Sequence, residues 1–282
     1  MKLRLPVGQL LVISTFLLPF TLPTASAQGK LARQAEAIVA EARLLYRSEM
    51  ASWHGSDLFL AQFAARERIG GYLSYPTGEA GARCIFYSND QPLPKVIGTI
   101  DLDDSLTEET AVIDLGERPL TPLEHDLYTL RTKTFQALKT SYRSYENANP
   151  NVIPLIANGT RKVYVLTGPS VSGVVIFGND YLFTFDKKNE LTAQQKIHSN
   201  IIPIDYDNSS TEPVTVSVHS HLESTGKFIT PTDVCTLLMY GPYTTWKTHQ
   251  VVSKKYVSIW DCRQQSLLIL KRKAFERITQ HQ

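Results

Sequence analysis

The sequence predicts an α+β fold, with an N-terminal helical region carrying a small sheet and a C-terminal β-rich domain carrying one or two helices. Three observations predict it. Apolar residues recur at a 3.6-residue period near both ends of the first half. The second half is a succession of short β-branched or aromatic runs separated by turn residues. One helix, beginning near Thr230, interrupts the strands of the second half.

Within the first half, "KLARQAEAIVAEARLLYRSEMASW" sets Leu31, Ala35, Ile38, Ala42, Leu45 and Met50 on one helical face, with Gly55 and Ser56 as its expected end. "DLFLAQFAARERIGGYLSY" reads as a second, shorter helix running through a Gly-Gly break into a strand. "ARCIFYSND", "KVIGTIDLDD" and "TAVIDLGERPL" read as strands. Thr121-Pro122-x-Glu124 is a helix start, and Leu127, Leu130, Phe135 and Leu138 form the stripe of the helix that follows. "ENANPNVIPLIANGT", rich in Asn and Pro, reads as the connector between regions 28–150 and 151–282.

The second half offers strands at "KVYVLTG", "GVVIFG", "DYLFTFD", "IIPIDY", "VTVSVHS", "WKTHQVVS" and "YVSIWD". "DKKNEL" is a hairpin turn. A helix starts near Thr230, and "SLLILKRKAFERITQ" reads as a strand passing into a helix.

Residues 1–27 read as an export signal. Lys2 and Arg4 precede a short apolar run, and Ala25-Ser26-Ala27 is a small-x-small cleavage pattern. The run contains Pro19 and is too short to span a bilayer, so the expectation is an exported chain, periplasmic or extracellular, without a stable membrane span. Loss of Lys2 and Arg4 takes the formal charge from +2 to about zero. With no basic run, nucleic acid is not an expected partner. Cys84, Cys235 and Cys262 allow at most one internal bridge, with Cys235 and Cys262 the pair to test.

Chemistry concentrates in "TVSVHSHLESTGKFITPTDVCTLL". His219 and His221, at the end of a strand, share one face because side chains alternate. Two imidazoles converging on a point suit a divalent metal, zinc first, and Asp233 in the first turn of the next helix is the candidate third ligand. This stretch resembles the JAMM (MPN-type, JAB) zinc metalloprotease motif, His-x-His-Pro followed by Ser-x-x-Asp. The resemblance implies a JAB-like domain in 151–282. His219, His221 and Asp233 would hold zinc, Thr230 in the serine position would support the oxyanion, and the substrate would be a peptide or isopeptide. Leu222 stands in the proline position, and Glu124, Glu146, Glu190 and Glu223 are candidates by type only for the glutamate base. Two other readings remain open. Thr230-Pro231-Thr232-Asp233 is a complete helix start without any metal, and the chain also reads as a non-catalytic envelope or extracellular module binding a protein or glycan partner. His198, some twenty residues upstream, could be brought near the pair by an adjacent strand but reads first as a surface strand residue. Glu49, Trp53, His54 and Asp57 form a cluster that would suit a small pocket, but on a helix Trp53 reads rather as a core or domain-interface anchor and His54-Gly55 as a helix end.

Overall fold

The computed structural model describes residues 25–206 and 213–280, so all of the expected export signal before Ala25 lies outside the described residues. α1 (Ala25–Gln62) is one helix of 38 residues rather than two. Gly55, the expected end, sits inside it for a packing reason: a Cβ there would lie 2.6 Å from the Cβ of Cys84. The glycine lets the helix approach the sheet closely.

β1 (Ile69–Pro76), β2 (Ala82–Ser88), β3 (Lys95–Leu102), β4 (Val112–Asp114) and β5 (Arg118–Pro119) form the small sheet, ordered β1-β2-β3-β4 with β5 also paired to β3. α2 (Pro122–Ser141) starts where the sequence places it, with Thr121 as its cap. The expected connector instead supplies β6 (Ala148–Ala157), so the division at residue 150 falls inside a strand. Pro150 and Pro154 are tolerated because β6 is the edge of the sheet β10-β9-β7-β6, where a missing N–H disrupts no inner ladder. That sheet also holds β7 (Thr160–Pro169), β9 (Tyr181–Phe185) and β10 (Leu191–Lys196). β8 (Val174–Gly178) pairs with β11 (Ile201–Asp205). The last sheet, β12-β13-β14-β15, comprises β12 (Val216–Ser220), β13 (Thr248–Val252), β14 (Tyr256–Asp261) and β15 (Ser266–Lys271). β12 and β13 run parallel, and α3 (Pro231–Tyr240) lies in the connection between them. α4 (Arg272–Thr279) closes the described chain. The fold is α+β, as the sequence predicts.

α1 ties these layers together. Ala35, Ile38 and Ala42 pack into the core beneath α3 and the last sheet. Leu45 joins the core of β6, β7 and α3, while Ala51 and Phe59 join that of the first sheet. Cys84 and Cys235 are buried, Cys262 is half-buried, and all three are free thiols, so the pair Cys235–Cys262 is not bridged. No helix among the described residues is long and apolar enough to cross a membrane.

Candidate metal centre

Three peptide elements deliver four donors to one buried spot. β12 carries His219 on its inward face, and His221 follows one residue past the strand. α3 carries Asp233 at its third position. Its N-cap Thr230 accepts a hydrogen bond from the Asp233 amide, and the Asp233 carboxylate accepts in return from the Thr230 amide at 2.8 Å and the Thr230 hydroxyl at 2.7 Å. The fourth donor is His198, from the β10–β11 connection. Ligating atoms of His198, His219, His221 and Asp233 all lie within 4.8 Å of one another, and all four residues are buried.

Individual separations are tighter. The Nε2 atom of His221 lies 3.0 Å from that of His198 and 3.1 Å from that of His219. Asp233 Oδ1 lies 3.5 Å from His198 Nε2 and 3.6 Å from His219 Nε2, and Oδ2 lies 3.5 Å from His221 Nε2. A tetrahedron of metal–nitrogen bonds of about 2.0–2.1 Å has edges of about 3.3 Å, in the middle of this range.

The far side of each ring is fixed by a hydrogen-bond partner. His221 Nδ1 faces the Phe228 carbonyl at 2.9 Å, so it carries the proton and Nε2 presents a lone pair. His198 Nδ1 meets Asp180 Oδ2 at 3.0 Å. His219 Nδ1 meets His249 Nε2 at 2.9 Å, and His249 Nδ1 meets Ser217 Oγ at 2.7 Å, a chain whose protons can run in either direction. Carboxylate or carbonyl partners behind ligating imidazoles are the usual way such rings are oriented and made more basic. Asp180 is brought inward by the turn after β8, where Gly178 has φ +91° and a Cβ would lie 2.2 Å from the Asn200 carbonyl oxygen.

Asp233 Oδ1 has no hydrogen-bond partner although it is buried. An unpaired buried carboxylate oxygen is costly. Burial works to raise the Asp233 pKa, but facing His198 and His219 outweighs it and holds the carboxyl well below the usual range. Burial also works to lower the His198 pKa, yet Asp233 and Asp180 together push it up to about 10. Burial takes His219 down to about 4 and His249 down to about 3. Without an ion the chain therefore keeps a proton on His198. A proton on His198 Nε2 can serve only one neighbour at a time, His221 Nε2 at 3.0 Å or Asp233 Oδ1 at 3.5 Å, whereas a divalent cation addresses all four donors. The residues fit a metal ion.

The predicted ligands His219, His221 and Asp233 are thus brought together. Thr230 is placed at the edge of the group, as the cap of α3 and a donor to Asp233. His198 was not predicted as a donor. No local pattern marks it; the sequence offers only its position about twenty residues before the pair, from which an adjacent strand could bring it near. Among the described residues, no glutamate joins the group of donors. The arrangement defines a mixed α+β protein with a buried three-histidine, one-aspartate donor set able to hold a metal ion. No family model, curated protein or solved structure matches the chain, so the likeness to the JAMM motif stands on its few motif residues alone.

Proposed function

We propose that the chain is an exported, non-catalytic module, stabilised by one zinc ion bound to His198, His219, His221 and Asp233, that engages a protein or peptide partner. One observation carries the reading: the protein supplies four donors itself, so His198 fills the vertex that a catalytic zinc leaves to water. Side-chain exposures of 7% for His198, 2% for His219, 1% for His221 and 0% for Asp233 leave no face of the group to a substrate. Such an ion would tie the β10–β11 connection, β12 and α3 to one another, the role of a closed structural zinc.

A second reading, hydrolysis of a peptide or isopeptide bond in the manner of the JAMM family, is favoured by the order His219, His221, Thr230, Asp233. It requires His198 to leave and a glutamate, none of which joins the group among the described residues, to take up the role of base. Elemental analysis of purified residues 28–282 tests the first reading. The expected result is about one zinc per chain, lost in His219→Ala and in His198→Ala, with no cleavage of peptide libraries by the wild-type protein. Metal-free wild-type protein, or zinc-dependent peptide cleavage, would overturn it.

A further inference from the structure

Away from the metal centre, an open cavity of about 570 Å³ lies between α1, the end of β7 and the C-terminal end of α3. Glu49, Ser52, Trp53 and Ser56 of α1 line it, at the i, i+3, i+4, i+7 spacing that puts them on one face of the helix. Tyr72, Tyr206, Tyr240 and Tyr243 add further aromatic surface, and Asp57 adds a second carboxylate. Among the described residues, no lysine, arginine or histidine lines it.

We propose that this cavity is a binding site for a small organic cation, an ammonium group carrying methyl or methylene substituents. Glu49 is the centre of the argument. It is 6% exposed, and its charge is met by one neutral donor, the Asn151 amide, at 2.8 Å from Oε2. An amide cannot neutralise a carboxylate. The guanidinium whose charge reaches Glu49, Arg131, makes no hydrogen bond to it and lies over the rings of Tyr72 and Phe135, donating to the Tyr87 hydroxyl. Burial raises the Glu49 carboxyl to about 7, against the opposing pull of the Asn151 hydrogen bond and the Arg131 charge. Tyr72 and Tyr240 line the cavity with Glu49; burial raises both phenols, and the charge of Glu49 adds to both shifts.

The walls choose among cations. Trp53 and Tyr243 are exposed, with ring centroids 6.5 Å apart and planes inclined by 37°. Ring faces attract a diffuse, weakly hydrated ammonium through their quadrupoles, and a desolvated contact gains more than an exposed one. A metal ion would hold its water and gain little from such walls, whereas an alkylated ammonium presents both charge and apolar surface. The site shares no ligand with the metal centre, so either can fail without the other.

Choline chloride is the probe, titrated calorimetrically into the zinc-loaded chain at constant ionic strength. Two controls are 3,3-dimethyl-1-butanol, its uncharged isostere, and methyl α-glucoside, a ligand for which aromatic clefts also serve. Choline should bind saturably, and the alcohol at least about tenfold more weakly. Glu49→Gln, which keeps the shape and the Asn151 contact, should lose a similar factor while its melting temperature stays at or above that of wild type. Trp53→Ala, at an exposed position, should also weaken choline. The proposal is overturned if choline shows no saturable binding, if the alcohol matches it, if Glu49→Gln binds as wild type does, or if the glucoside binds more tightly.

Discussion

Thr121-Pro122-Leu123-Glu124 and Thr230-Pro231-Thr232-Asp233 open α2 and α3 with the same pattern, the same reciprocal capping box and an acid buried from solvent. Their surroundings then diverge. Glu124 Oε1 accepts from the Tyr75 hydroxyl at 2.8 Å and from Arg118 Nη2 at 2.8 Å, and Oε2 accepts from Arg118 Nη1 at 2.7 Å and the Thr121 amide at 2.8 Å. Every lone-pair direction has a donor. Asp233 has its cap on Oδ2, but Oδ1 faces imidazole nitrogens and has no donor. A guanidinium completes the first helix start inside the protein. The second leaves an oxygen free for a cation, so the same local chemistry makes a structural joint in one place and a donor able to hold a metal ion in the other.

The largest expected effect separates the two directly. Stripping the metal with a chelator should lower the melting temperature by many degrees, because structural zinc contributes on the order of 10 kcal/mol of binding free energy to the folded state. An unchanged melting temperature would erase the contrast. Next, Glu124→Gln should cost about 3–5 kcal/mol by stranding Arg118, with or without chelator. Asp233→Asn should be more damaging in zinc than in chelator, where it loses only the pairing of the Asp233 charge with His198 and His219. An Asp233→Asn cost that is the same with and without chelator would mean that Asp233 holds no metal.

Acid sharpens the comparison further. Burial opposes ionisation of Glu124, yet Arg118, the Thr121 amide and the Tyr75 hydroxyl outweigh it and lower its pKa from 4.5 to about 2. A depressed carboxyl contributes stability that is present above pH 4.5 and lost as pH falls toward 2, so acid unfolding should show that window and Glu124→Gln should remove it. Glu49 is the opposite case. Its pKa, raised from 4.5 to about 7, means that stability falls as pH climbs from 4.5 to 7 and levels off above, by about 3 kcal/mol in total. Glu49→Gln should flatten that slope and be the more stable protein at pH 8. Denaturant titrations at several pH values measure both.

The smallest effect concerns the caps. Thr121→Ala and Thr230→Ala should each cost about 1 kcal/mol of stability in chelator. Only Thr230→Ala should also weaken zinc, by about tenfold or more, because its hydroxyl supports a ligand oxygen. Competition with a chromophoric chelator reads the difference.

Much of this was legible in the chain. Both T-P-x-acid starts announce their helices because capping is local chemistry, and His219 with His221 share a face because strand periodicity is local too. What escaped depends on partners distant in sequence. His198 looks like any polar residue after a strand until Asp180, on a different strand's exit, turns its ring inward. Gly55 reads as a helix stop because glycine usually costs a helix stability, and only Cys84 on β2 shows that it serves close packing. Residues 148–157 read as a linker from Pro150 and Pro154, since nothing nearby reveals that they lie on an outer edge.

The long first helix has a mechanical consequence. Because Ala35 to Ala42, Leu45, and Ala51 to Phe59 are embedded in three successive hydrophobic clusters, one rigid rod threads both halves of the molecule. Neither half owns its side of that rod outright. Heat should therefore melt the chain in a single step, and a protease cut between the halves should leave two fragments still held together rather than release an independent folded piece.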